Sequence, residues 1–161
     1  MSLSIRRPHP GEAGLVLDFV RELAEYEKLS HEVEATEADI ADALFGQDPR
    51  LFCAIACWNG EPVGFAVWFL NFSTFSGRYG IYLEDLYVRP SHRGKGLGRA
   101  LLVYLAKECV DNGWSRLQWA VLDWNAPSIA FYKSLGAVML DDWTLCRVSG
   151  HALTRLAGGK S

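Results

Sequence analysis

Several features that would declare a special environment are missing from this sequence. Its four cysteines, Cys53, Cys57, Cys109 and Cys146, include no CxxC pair and no Cys/His spacing suited to a metal. That excludes zinc-ribbon and disulfide-framework proteins, and it leaves ordinary core thiols in a reducing, cytoplasmic setting with no metal. No apolar run is long enough to span a bilayer, so no membrane partner is expected. The first residues, Met1 to Arg7, lead into Pro8 and Pro10 rather than into the apolar stretch of a secretory signal. A basic excess is missing too. Lys and Arg total 16 against 19 Asp and Glu, a formal charge of -3, which argues against nucleic acid as a partner. The chain also lacks internal repeats and low-complexity linkers.

What is there suits one compact unit. At 161 residues with half its side chains apolar, the chain can bury one sizeable core and is short for two. The expectation is one domain over residues 1–157 and a loose tail over 158–161. Leu3 to Arg7 reads as a strand. Ala13, Val16, Leu17, Val20, Leu23 and Ala24 then form one helical stripe ending near Leu29. Thr36, with Asp39 three residues on, has the spacing to cap a second helix that reaches Gly46. Leu51 to Trp58 and Val63 to Phe72 are strands joined at Asn59-Gly60, a hairpin signal. Ile81 to Val88 is the next strand.

Helical spacing returns from Leu97 and stops at Asn112-Gly113. Arg116 to Leu122 reads as a buried strand, Asn125 caps a further helix with Pro127 in its first turn, and Gly136 follows its end. A last strand pair is expected at Ala137 to Leu140 and Trp143 to Val148. This order implies an α/β (α+β) single-domain fold, its central sheet mixed but mostly antiparallel, with helices on both faces.

The densest chemical signal is Arg93-Gly94-Lys95-Gly96-Leu97-Gly98, between a strand and a helix. Glycines there free the backbone for positive φ and close ligand approach. The unpaired N–H groups and dipole of the helix start favour an anion. From Arg89 to Arg116 there are six Lys or Arg against two acids, in a chain that is negative overall. The loop is neither a nucleotide P-loop, because Gly98 is followed by Arg99-Ala100, nor a dinucleotide fingerprint, because its glycine gaps are wrong.

Arg93-x-x-Gly96-x-Gly98 resembles the (Gln/Arg)-x-x-Gly-x-(Gly/Ala) signature of the GNAT acetyltransferases, and the order of elements along nearly the whole chain is similar to theirs. Three runs are similar to the spermidine/spermine N1-acetyltransferase branch: Leu23 to Glu27, Tyr82 to Asp85, and Trp124 to Lys133. The resemblance implies a GNAT fold, acetyl-CoA as co-substrate, a small amine as acceptor, and a homodimer. It implies that Gly94, Lys95, Gly96, Leu97, Gly98 and Arg99, with Arg93, hold the CoA phosphates. Main-chain groups of Leu86, Tyr87 and Val88 would pair with the pantetheine arm, assisted by Asn125 and Ser128.

Acyl transfer to an amine needs a proton acceptor for the amine and a proton donor for the departing thiolate. Glu84 and Asp85, charged residues in an otherwise apolar strand, are the candidates for amine recognition and proton removal. Strict alternation sends them to opposite faces, and only a bulge aims both at one cleft. By the resemblance, Glu84 is a base acting through water, Asp85 holds the cationic acceptor, and Tyr132 protonates the thiolate; taken alone, Tyr132 also reads as a core-facing aromatic. Eight acids against one Lys between Glu22 and Asp42 suit a di- or polycation. Within that run Tyr26 and Glu27 match polyamine-contacting positions, and Trp119 and Asp142 are further candidates for the acceptor wall. Two other readings stay open: a protein lysine or N-terminal acetyltransferase, and a non-catalytic acyl-CoA-binding module.

Overall fold

The computed structural model describes residues 2–160. Met1 and Ser161, the outer ends of the expected domain and tail, lie outside the described residues. The chain divides into two compact units, one through Leu122 and the other from Asp123.

The first unit is a five-stranded sheet in the order β1-β2-β3-β4-β5. Its strands are β1 (Leu3–Arg6), β2 (Phe52–Trp58), β3 (Glu61–Ser73), β4 (Arg78–Val88) and β5 (Leu117–Gln118). The first three pairings are antiparallel and β4 with β5 is parallel, so the sheet is mixed and mostly antiparallel. The β2–β3 turn has Asn59 at φ 51° and Gly60 at φ 85°, the paired positive values that match the right-handed twist of a tight hairpin. Three α-helices among the described residues belong to this unit: α1 (Ala13–Tyr26), α2 (Glu37–Phe45) and α3 (Leu97–Asn112).

They cover both faces of the sheet. Phe65, Val67 and Tyr87 pack with Val16, Phe19 and Leu23 of α1 and Leu44 of α2. Phe19 stacks on Phe65 at 5.3 Å between ring centroids. Trp68, the next residue after Val67, turns to the opposite face, where Tyr104 of α3 meets it edge-on. The expected cap of α2 is present and reciprocal: Asp39 N–H donates to Thr36 Oγ1 at 3.2 Å and Thr36 N–H to Asp39 Oδ2 at 2.8 Å. Helix α1 ends earlier than its apolar stripe suggests. Lys28 adopts φ 62° and Leu29 N–H bonds to Ala24 O at 2.8 Å, a left-handed closure at a residue other than glycine.

The second unit contains α4 (Ala126–Ser134) and α5 (Gly150–Leu156). Asn125 caps α4 as expected, accepting from Ser128 N–H at 3.3 Å, and Pro127 sits in its first turn.

Three expectations are corrected, and one helix had not been foreseen. The strand expected over Arg116 to Leu122 is only Leu117–Gln118, half-buried, since its pairing with β4 extends over just two residues. The strand pair expected at Ala137 to Leu140 and Trp143 to Val148 does not form; with no ladder to join, Val138, Trp143 and Leu145 are exposed. Helix α5 was not legible, because seven residues carry too little apolar period. Cys146 is exposed rather than a core thiol, whereas Cys53, Cys57 and Cys109 are buried.

Candidate active site

The glycine loop connects the end of β4 to the start of α3. Gly94 and Gly96 have φ of 76° and 84°, and Gly96 is the N-cap of α3. A Cβ at either position would meet no atom within 4 Å. The glycines are therefore needed for backbone conformation and open approach rather than for close packing. Leu97, 1 % exposed, anchors the loop in the core. The N–H groups of Leu97, Gly98 and Arg99 begin the helix and have no intrahelical acceptors. This is a main-chain anion cradle with Arg99 beside it.

The loop's other cations lean on aromatic rings. The Arg93 guanidinium carbon lies 4.7 Å from the ring centroid of Tyr26 and 5.7 Å from that of Tyr87. Arg93 Nε–H also donates to Val88 O at 2.9 Å, so this side chain braces one of the main-chain groups expected to face the pantetheine arm. Lys95 Nζ lies 5.1 Å from the ring centroid of Trp58. Just before the loop, Arg89 pairs with Glu22 at 3.2 Å, donates to Pro62 O, and lies over Phe19. Trp58 and Arg89 were not singled out in the sequence. Nothing in local spacing reveals them, because their partners come from other elements.

Glu84 and Asp85 lie at a break in the β3–β4 ladder. Asp85 is opposite Val67 and Leu83 is opposite Trp68, so two consecutive residues of β3 span three of β4. Glu84 is the extra residue of a bulge. Since Val67 belongs to the α1 face, Asp85 does too, along with Tyr87 two residues on. Glu84 is exposed and Asp85 half-buried. Burial, then the charges of Glu84 and Glu27, push the Asp85 carboxyl up to about 7. Burial also pushes the Glu27 carboxyl up. Three carboxylates, Glu27 at the end of α1 and Glu84 and Asp85 at the bulge, thus share one electrostatic neighbourhood. Tyr26 adjoins it through Glu27.

Beyond Tyr82, where pairing with β5 stops, no strand among the described residues pairs with that edge of β4. The open edge runs through Leu86, Tyr87 and Val88 to the glycine loop. An extended arm ending in phosphates fits this succession: a strand edge to bond to, then a cradle of N–H groups. Trp119 follows β5 directly and is half-buried.

The remaining candidates are in the second unit. Asn125 is 7 % exposed at the start of α4. Ser128 and Tyr132 are four residues apart on that helix and share a side of it. The Tyr132 ring lies 5.6 Å from that of Phe131. Asp142 is exposed, outside any helix or strand. Among the described residues no group of three His, Cys, Asp or Glu could hold a metal ion, and no helix is long and apolar enough to cross a membrane.

The model of the acetyltransferase (GNAT) family matches residues 17–137. A thialysine N-epsilon-acetyltransferase of Bos taurus is 41% identical over 96% of this chain and 96% of its own length. A human spermidine/spermine N(1)-acetyltransferase-like protein is 31% identical over 95% of this chain and 23% of that longer protein. Among solved structures, an integron cassette protein from the mobile metagenome of V. cholerae superposes with a TM-score of 0.79 at 30% identity, covering 98% of both chains.

Proposed function

Because the chain belongs to the GNAT acetyltransferase family, whose co-substrate is acetyl-CoA, we propose that it acetylates a terminal primary amine of a small polyamine, diamine or lysine-like acceptor by direct attack. The observation that carries this reading is the bulge at Glu84. It sets two carboxylates side by side in the strand that leads into the anion cradle.

A primary amine with a pKa near 10.4 is free base in only about 1 molecule in 2,500 at pH 7, so binding as a cation and loss of a proton are both needed. The shared field of Glu27, Glu84 and Asp85 suits the first requirement. Tyr26, Trp119 and Asp142 complete the acceptor wall in this reading. Glu84, the exposed member, takes the amine's proton through a water molecule. Acetyl-CoA supplies the activated acyl group. Gly94 to Arg99 hold its phosphates, Leu86 to Val88 with Asn125 and Ser128 hold its arm, and Tyr132 returns a proton to the thiolate.

Asp85 supports a second assignment of the base. A carboxyl held at about 7 is matched to proton transfer near neutral pH. On either assignment, charging Asp85 favours a cationic acceptor, so the amine KM rises as pH falls below about 7. The proposal includes a cytoplasmic setting, which suits three buried free thiols, and a homodimer like that of the resembled branch. Sedimentation tests the dimer.

The decisive assay follows thiol release from acetyl-CoA with thialysine, lysine, putrescine, spermidine and spermine. Turnover with at least one free amine is expected. No turnover with any of them, combined with transfer to a protein amine, would replace the small-molecule acceptor. Tyr132→Phe is expected to lower kcat by roughly 10²- to 10⁴-fold while leaving CoA affinity within a factor of about two. Near-normal kcat removes Tyr132 from its role.

A further inference from the structure

Arg93 is the first residue of the CoA loop, yet its side chain is engaged with other parts of the first unit. It meets the ring of Tyr26 at the end of α1 and that of Tyr87 in β4, and its Nε–H is spent on the Val88 carbonyl. Its neighbours differ. Lys95 leans on Trp58, a residue of the sheet remote from the acceptor wall in sequence. Arg99, on the first turn of α3, lies beside the N–H cradle.

A guanidinium fixed in this way does two things at once. It holds the chain immediately before Gly94, and so the direction in which the cradle's N–H groups point. It also holds the face of Tyr26, next to Glu27, whose charge reaches Asp85. The planar group suits both tasks, since it can stack on rings while its edge donates a hydrogen bond.

We propose that Arg93 is a positioning residue that couples the amine-acceptor wall to the CoA loop through the ring of Tyr26. The proposal rests on the reading of Tyr26 and Glu27 as the acceptor wall. Coupling of this kind is reciprocal: whatever fixes the ring improves CoA binding, and bound CoA improves the amine site.

The test is CoA affinity measured by titration calorimetry without any amine, so it reads the coupling even if the acceptor has been assigned wrongly. Tyr26 is 37% exposed, so removing its ring leaves the core intact, and Tyr26→Leu and Tyr26→Gln give two independent truncations. A cation over an accessible aromatic face corresponds to roughly two- to fivefold in an equilibrium constant. Each truncation should therefore raise the CoA Kd by about two- to fivefold, although Tyr26 is outside the loop, and Tyr26→Phe, which keeps the ring face, should restore affinity.

In an Arg93→Gln background the same truncations should have no further effect on CoA. Steady-state kinetics give the second readout. Arg93→Gln should raise both the CoA Kd and the amine KM, whereas Arg99→Gln should raise the CoA Kd alone. The proposal is overturned if truncating Tyr26 leaves CoA affinity unchanged, or if its effect multiplies in full with that of Arg93→Gln. Failure of the acceptor reading looks different: the CoA coupling is present, but no free amine turns over.

Discussion

The two ends of β4 differ in how they are paired and in where the charge lies. From Arg78 to Tyr82 the strand is paired in register with β3, and Ile81 and Tyr82 are also paired with β5. From Leu83 to Val88 it has β3 on one side only, and that side carries the bulge. The closed end consumes its backbone hydrogen-bonding groups in the sheet. The open end has no second strand among the described residues, its Val88 carbonyl accepts from Arg93 instead, and it carries two consecutive acidic residues at the bulge. The lesson is that the candidate site begins where the sheet stops satisfying itself.

Substitutions at the two ends should separate chemistry from stability. The largest effect is expected at the open end, where Glu84→Gln should lower kcat by about 10²- to 10⁴-fold in the thiol-release assay with little change in melting temperature. If Asp85→Asn shows that loss and Glu84→Gln does not, the base is Asp85.

At the closed end, a Cβ at Gly80 would lie 2.7 Å from the Arg116 carbonyl oxygen. Gly80→Val should therefore cost roughly 1–3 kcal/mol in urea denaturation, with kcat per folded molecule retained. A large kcat loss there would break the contrast between the two ends.

The smallest effect concerns pH. The folded pKa of Asp85 is raised to about 7, so the folded state binds more protons than the unfolded chain between that value and the ordinary Asp range. This contribution to stability is present in acid and is lost as pH rises from about 4 to about 7. Asp85→Asn should remove that slope, so that its stability relative to the parent chain rises between pH 4 and pH 8, read from urea melts.

Legibility in the sequence followed how local each feature is. The Asn59-Gly60 turn, the Thr36 and Asp39 cap, the Asn125 cap and the glycine loop each depend on a few adjacent residues, and each is where the pattern places it. The bulge is a property of two strands together. Alternation within β4 alone separates Glu84 from Asp85, and only the register against Val67 and Trp68 reunites their neighbourhood. Two of the rings under Arg93 and Lys95, Tyr26 and Trp58, come from α1 and β2, so no spacing near the loop could reveal them.

The apolar alternation after Ala137 shows the reverse error. Val138 and Leu140, and likewise Trp143 and Leu145, have the period of a strand, yet these residues are exposed and outside any strand. A period-two pattern qualifies a segment for a ladder; only a partner strand makes it one.

Seen as a counting problem, Glu84 is a supernumerary residue. Were it deleted, Leu83 and Asp85 would become adjacent and alternate as Trp68 and Val67 do across from them, and the ladder would be more regular than before. The sheet would gain an unbroken register while one carboxylate disappeared and the other lost the kinked backbone that presents it. At this position a one-residue indel, rather than a change of residue type, separates a plain structural strand from one that breaks register at two consecutive acidic residues.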